Sequence, residues 1–204
     1  MSKRLWRIAC RLALPGLLVA TGTLCAQTVP RTDRRPARNA IAILRPTKGT
    51  NVKGTVHFHE SRHNTHIFAN LTGLPPGRHG IHIHEIGDCS APDAGNDGGH
   101  FNPQVHKHGA PDASDHHAGD LGNIEADAQG RGRLDWTVDF LTVWGGPNSV
   151  IGKTVIVHAQ QDDLQSQPDG NSGSRLACGK VQLKTKPSRK GSNRSAKTGV
   201  LSGS

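Results

Sequence analysis

Six histidines and one aspartate, spaced between positions 82 and 158, carry the chemistry open to this sequence. They stand in I-H-I-H-E (His82, His84), G-G-H-F-N-P (His100), K-H-G-A-P (His108), H-A-G-D (His117, Asp120) and V-I-V-H-A (His158). Neutral imidazole is a common ligand for copper and zinc, and a carboxylate adds a hard oxygen suited to zinc. Seven donors exceed what one four-coordinate site uses, so two sites sharing a ligand are the economical reading. His82 and His84 are i and i+2, which on a strand projects both rings from one face. Gly98 and Gly99 allow the backbone to approach closely beside His100. His117 and Asp120 form an H-x-x-D cluster, and His158 ends a hydrophobic run where it can complete a site.

Donors so far apart in sequence need a rigid scaffold. Strand-like runs recur at Ala40–Leu44, Val52–His59, His66–Leu71, Arg78–His84, Leu121–Ala126, Arg131–Val138, Lys153–Ala159 and Leu176–Leu183. Each is short, rich in β-branched residues and bounded by Gly, Pro, Asn or Asp. In Thr55–His59 the residues alternate, with Val56 and Phe58 on one face and His57 and His59 on the other, as a half-buried antiparallel strand requires. Eight such runs predict a sandwich or barrel. The 25 glycines, 12 prolines and only 3% aromatic content, with no tyrosine, argue against a helical bundle, because segments lacking Gly or Pro are short. Two stretches resist strand assignment: Gly87–Gly119, which holds three candidate ligands and a cysteine, and the polar Gln160–Ser174. Loops of that length are functional or disordered.

The termini differ from the middle. Residues 1–26 read as a secretory signal, with Lys3, Arg4, Arg7 and Arg11, an apolar Leu12–Leu24 stretch and a small-residue exit at Cys25-Ala26. The apolar run, about 13 residues broken by Pro15 and Gly16, is too short to span a bilayer, so no transmembrane segment is expected in the mature chain. Gly22-Thr23-Leu24 is a poor approach sequence for lipidation of Cys25. Removal of the signal leaves Cys89 and Cys178, expected to pair in an oxidising compartment. Residues 27–38 form a basic linker and 185–204 a basic tail for which disorder is expected. The formal charge of +9 belongs to these ends, because residues 39–179 sum to −5. That balance argues against nucleic acid as a partner, while the tail could touch anionic envelope surfaces.

In this order the fragments G-I-H-I-H-E-I-G-D, G-G-H-F-N-P, H-A-G-D-L-G-N, I-G-K-T-V-I-V-H and G-S-R-L-A-C-G resemble the copper/zinc superoxide dismutase family, over about Ala40 to Leu183. The signal and the extended Gly- and Asp-containing segment before G-G-H-F-N-P resemble its secreted bacterial branch. The resemblance implies an all-β, eight-stranded Greek-key β-sandwich or flattened barrel over residues 39–184, with two long functional loops. It implies one copper, held by His82, His84, His100 and His158, and one zinc, held by His100, His108, His117 and Asp120. His100 is then the shared ligand. Cys89 and Cys178 match the family disulfide. Asp162 matches the carboxylate that orients His82 and His108, and Arg175 the arginine that draws the anion to copper. The implied activity is conversion of superoxide to dioxygen and hydrogen peroxide by alternating reduction and oxidation of copper, with His100 releasing and regaining its copper-side bond. The expected setting is the periplasm, or alternatively outside the cell, with a homodimer left open.

The remaining histidines have plainer expectations. His79 matches a structural position, His106 and His116 flank the ligands, and His57, His59, His63 and His66 belong to or adjoin an outward-facing strand surface. The Gln160–Ser174 loop lacks the charged steering residues of the eukaryotic branch, leaving Lys153 or Lys107 to supply steering. Within it Asp169 occupies a position where a channel-facing carboxylate would repel an anion. The competing function is a non-catalytic copper/zinc-binding envelope protein. Retention of all four copper positions and Arg175 disfavours it.

Overall fold

The structure, a computed structural model, describes residues 38–62 and 64–184. The expected signal, most of the linker, the tail and His63 lie outside the described residues. Eight strands follow one another: β1 (Arg38–Pro46), β2 (Lys53–Ser61), β3 (Asn64–Thr72), β4 (Gly77–His84), β5 (Asp120–Ala126), β6 (Gly132–Val138), β7 (Thr154–His158) and β8 (Arg175–Leu183). They close into an antiparallel barrel in the order β1-β2-β3-β6-β5-β4-β7-β8. Because β3 adjoins β6 and β4 adjoins β7, the β3–β4 connection crosses the barrel as a Greek key. The seam between β5 and β6 is thin, with only Glu125 opposite Arg133 and Ala126 opposite Gly132. No helix of the described residues is long and apolar enough to cross a membrane.

Alternation explains which strands face water. In β2 the inward Val56 and Phe58 are buried, while the outward His57 and His59 are not. β3 repeats this with Ile67 and Ala69 inside and His66 and Phe68 outside. β4 and β7 break the rule, being buried on both faces from His79 to His84 and from Thr154 to His158. Their inner residues Ile81, Ile83, Val155 and Val157 belong to the barrel core. Their opposite faces carry His82 and His84 from β4 and His158 from β7, covered by the segments 85–119 and 159–174. The site thus lies outside the barrel wall and beneath two loops.

The long 85–119 segment has almost no regular structure, so discrete ties hold it down. Gly119 lies against β4: Ile83 N donates to Gly119 O at 2.9 Å and Phe101 N to Ile83 O at 2.8 Å. A Cβ at Gly119 would overlap the Ile83 carbonyl, so no other residue fits without moving the loop. At the other end Cys89 is bonded to Cys178 of β8, with Cα atoms 5.8 Å apart. Val143 is fully buried in the core, although its neighbour Trp144 is half exposed. Small apolar residues beside glycines give no periodicity from which burial could be read.

Candidate metal centre

Four adjacent strands, β5-β4-β7-β8, supply the rigid half of the site. His82 faces Asp120 of β5 and Ile156 of β7 across the ladders, and His158 of β7 pairs with Arg175 of β8 at a bulge. The loops supply the rest: His100, His108 and His117 from 85–119, and Asp162 from 159–174. All of these donors are buried. They assemble into two groups, His82, His84, His100 and His158, and His100, His108, His117 and Asp120, each with its ligand atoms within 4.8 Å of one another. His100 is in both.

The donor atoms suit metals. Six buried ring nitrogens have no hydrogen-bond partner: His82 Nδ1, His84 Nε2, His100 Nε2, His108 Nδ1, His117 Nδ1 and His158 Nε2. A buried polar atom without a partner is costly, so six converging on two points call for a ligand. In the second group Asp120 Oδ1 lies 2.7 Å from His100 Nδ1, 3.0 Å from His108 Nδ1 and 3.3 Å from His117 Nδ1. One oxygen facing three ring nitrogens is poor hydrogen bonding, but donors of a tetrahedral zinc sit about 3.3 Å apart at ordinary bond lengths.

The other ring nitrogens fix each imidazole. Asp162, with no exposed surface, takes His82 Nε2 on Oδ2 at 2.8 Å and faces His108 Nε2 through Oδ1 at 3.0 Å. Its own backbone is gripped by Asn123, whose Oδ1 accepts from Asp162 N at 2.8 Å and whose Nδ2 donates to Asp162 O at 2.9 Å. Such partners set tautomer and ring angle. His84 Nδ1 donates to Gly98 O at 3.0 Å and His158 Nδ1 to Gly173 O at 3.1 Å. Gly170 has φ +66° and a Cβ there would collide with the Asp162 carboxylate, so this tight crossing needs glycine.

Electrostatics divide the rings. Burial, reinforced by His82 and His84 against the pull of Asp120, holds His100 down to about 3, and burial also lowers His82 and His158. Rings held neutral offer lone pairs to a metal. Burial would depress His108 too, but Asp120 and Asp162, one at each ring nitrogen, outweigh it and raise that ring to about 10. Both carboxylates stay ionised despite burial, because the surrounding imidazoles hold them well below the ordinary range.

The matching family model is that of copper/zinc superoxide dismutase (SODC), over residues 52–181. The chain belongs to the copper/zinc superoxide dismutase family. Among its relatives are two proteins named extracellular superoxide dismutase [Cu-Zn]. The one from Brugia pahangi is 41% identical over 165 residues, covering 76% of this chain and 81% of the relative. The one from Caenorhabditis elegans is 43% identical over 142 residues, covering 65% of this chain and 62% of the relative. As a superoxide dismutase the chain takes copper and zinc, and the two donor groups suit one ion each.

Residues outside the two groups are engaged elsewhere. The ring nitrogens of His79 meet His158 O at 3.0 Å and Pro75 O at 2.8 Å, a structural tie. His106 pairs with Asp115 at 2.8 Å, His116 Nδ1 meets His117 O at 2.7 Å, and His66 meets Asp135 at 2.7 Å. Lys153 donates to Glu85 O at 3.0 Å and lies over the Phe101 ring. Asp169 accepts from Asn171 N at 3.3 Å in its own turn. The carboxylate that meets Arg175 comes from the other loop: Asp97 Oδ2 accepts from Nε at 2.7 Å and Oδ1 from Nη2 at 2.8 Å. Sequence reading missed Asp97. Its flanks, Asn96 and Gly98-Gly99, read only as a turn, and its partner is 78 residues away.

Proposed function

We propose that this chain is a secreted superoxide dismutase in which His82, His84, His100 and His158 hold copper, and His100, His108, His117 and Asp120 hold zinc. The observation that carries this reading is His100, with Nε2 among the first group and Nδ1 among the second. Copper, when bound, supplies one-electron redox chemistry, and zinc a fixed, redox-silent charge. The chain does the rest. His100 Nε2, facing the copper group, is the atom that can hold a proton and deliver it to a doubly reduced oxygen. Asp162 keeps the His82 and His108 rings aimed. Arg175 offers the N–H donors that bind and orient a small anion beside His158.

The test is removal of superoxide by the metal-reconstituted protein, compared with His158→Ala and His84→Ala. Loss of turnover in both with the fold retained is expected, and wild-type rates in either contradict the copper assignment. The competing reading, metal binding without turnover, predicts an inactive wild type.

The bacterial branch and the periplasm form part of the proposal, with extracellular release as the alternative. The signal-like residues 1–26, the Cys89–Cys178 disulfide and the names of the two relatives support export. Homodimerisation draws support from Ile43, 58% exposed, and Ile86, 49% exposed. Sedimentation of wild type and Ile43→Glu checks it, dissociation by the variant being the expected result. Removal of residues 185–204 tests whether the tail binds anionic surfaces.

A further inference from the structure

Among the groups close to the site, Asp97 has no place in either metal cluster, yet it is completely buried. Its Oδ2 and Oδ1 take Arg175 Nε and Nη2 at 2.7 and 2.8 Å, and Oδ1 is also 3.2 Å from His84 Nδ1. The next residue, Gly98, accepts from that same His84 nitrogen, while His84 Nε2 is one of the unpartnered atoms of the copper group. Asp97 therefore touches both the anion-binding side chain and the back of a copper-facing ring. Its backbone is fixed to the loop by Ile86 N donating to Asp97 O at 2.9 Å.

A guanidinium has five N–H donors in a planar fork. The Asp97 clamp uses one edge, Nε and Nη2, and leaves three donors on the far edge, on a side chain that is 28% exposed. Unclamped, a long arginine would sample many rotamers, and only some would aim those donors usefully. The clamp has an electrostatic consequence. A buried carboxylate beside the guanidinium cancels much of its distant field while leaving its contact donors in place. Arg175 thus acts by alignment at contact more than by attraction from afar.

We propose that Asp97 is a positioning residue that clamps Arg175 and holds its free donor edge in register with the His84 side of the copper group. This rests on the superoxide dismutase reading for its purpose, but the clamp is tested separately. Asp97→Asn, which keeps shape and removes the charge, is compared with Arg175→Ala and the double variant after metal loading and metal analysis. The probe is azide, a small monovalent anion that binds copper, titrated optically. Asp97→Asn is expected to weaken azide binding about tenfold, as loss of a charge-assisted hydrogen bond does. It is also expected to steepen the salt dependence of superoxide removal, because one more net positive charge then faces solvent. In the Arg175→Ala background Asp97→Asn is expected to cause no loss of azide affinity, because no guanidinium is left to position.

A second readout needs no metal. Phenylglyoxal modification of Arg175 in the metal-free protein, followed by mass spectrometry, is expected to run faster in Asp97→Asn than in wild type. Unchanged azide affinity, an equal loss in the Arg175→Ala background, or equal modification rates each overturn the proposal. An inactive wild type whose azide cycle behaves as expected would defeat the functional reading and leave the clamp intact.

Discussion

His82 Nε2 donates to Asp162 Oδ2 at 2.8 Å with both side chains wholly excluded from solvent. The same carboxylate meets His108 at 3.0 Å, so one residue of the 159–174 loop orients a ring in each donor group. Asp162→Ala is expected to leave the barrel folded but to weaken metal retention by about 10- to 100-fold, the usual cost of losing such a partner. Competition with a chelator, read as copper and zinc content per chain, checks this. Undiminished retention of both would remove Asp162 from its orienting role.

The Cys89–Cys178 bond ties the ligand-bearing loop to β8 across 89 residues. Replacing both cysteines with alanine is expected to lower stability by about 2–4 kcal/mol, mainly by freeing the unfolded chain. The urea midpoint of the metal-free double variant measures the loss. A midpoint equal to wild type would show that the loop is held by its hydrogen bonds and packing alone.

Stability of the metal-free protein should depend on pH through the buried rings. His82, His100 and His158 are held below their ordinary value of 6.5, chiefly by burial. Their contribution is complete above that value and is lost as the pH falls, because the unfolded rings take protons that the folded ones refuse. His108, raised to about 10, has the opposite sign: its contribution is complete below 6.5 and lost as the pH rises toward 10. Three rings against one predict a lower urea midpoint at pH 5 than at pH 7. Each neutral ring contributes about 1.4 kcal/mol per pH unit, less what His108 returns. An equal or higher midpoint at pH 5 contradicts this balance.

Much of this was legible from particular residues. The alternation of Val56 and Phe58 with His57 and His59 marked β2, and each of the eight expected runs overlaps a strand. His82 and His84 do share a face, but it is the outer one, and burial of both faces of β4 is set by loops without periodicity. The donor groups emerge because H-x-H, H-x-x-D and the glycine-preceded His100 are local patterns. Asp97 is the counterexample. Its significance lies in a contact across 78 residues between an irregular loop and the start of β8, and nothing local in G-N-D-G-G marks it.

The shared imidazole of His100 is tested most directly by diffraction from crystals of the copper- and zinc-loaded protein, with anomalous data at both metal edges. The expected result is two ions per chain: copper bonded to Nε2 of His100 with His82, His84 and His158, and zinc bonded to Nδ1 with His108, His117 and Asp120. A single ion under saturating supply of both metals, or two ions with His100 bonded to neither or only to zinc in the oxidised protein, would contradict the account.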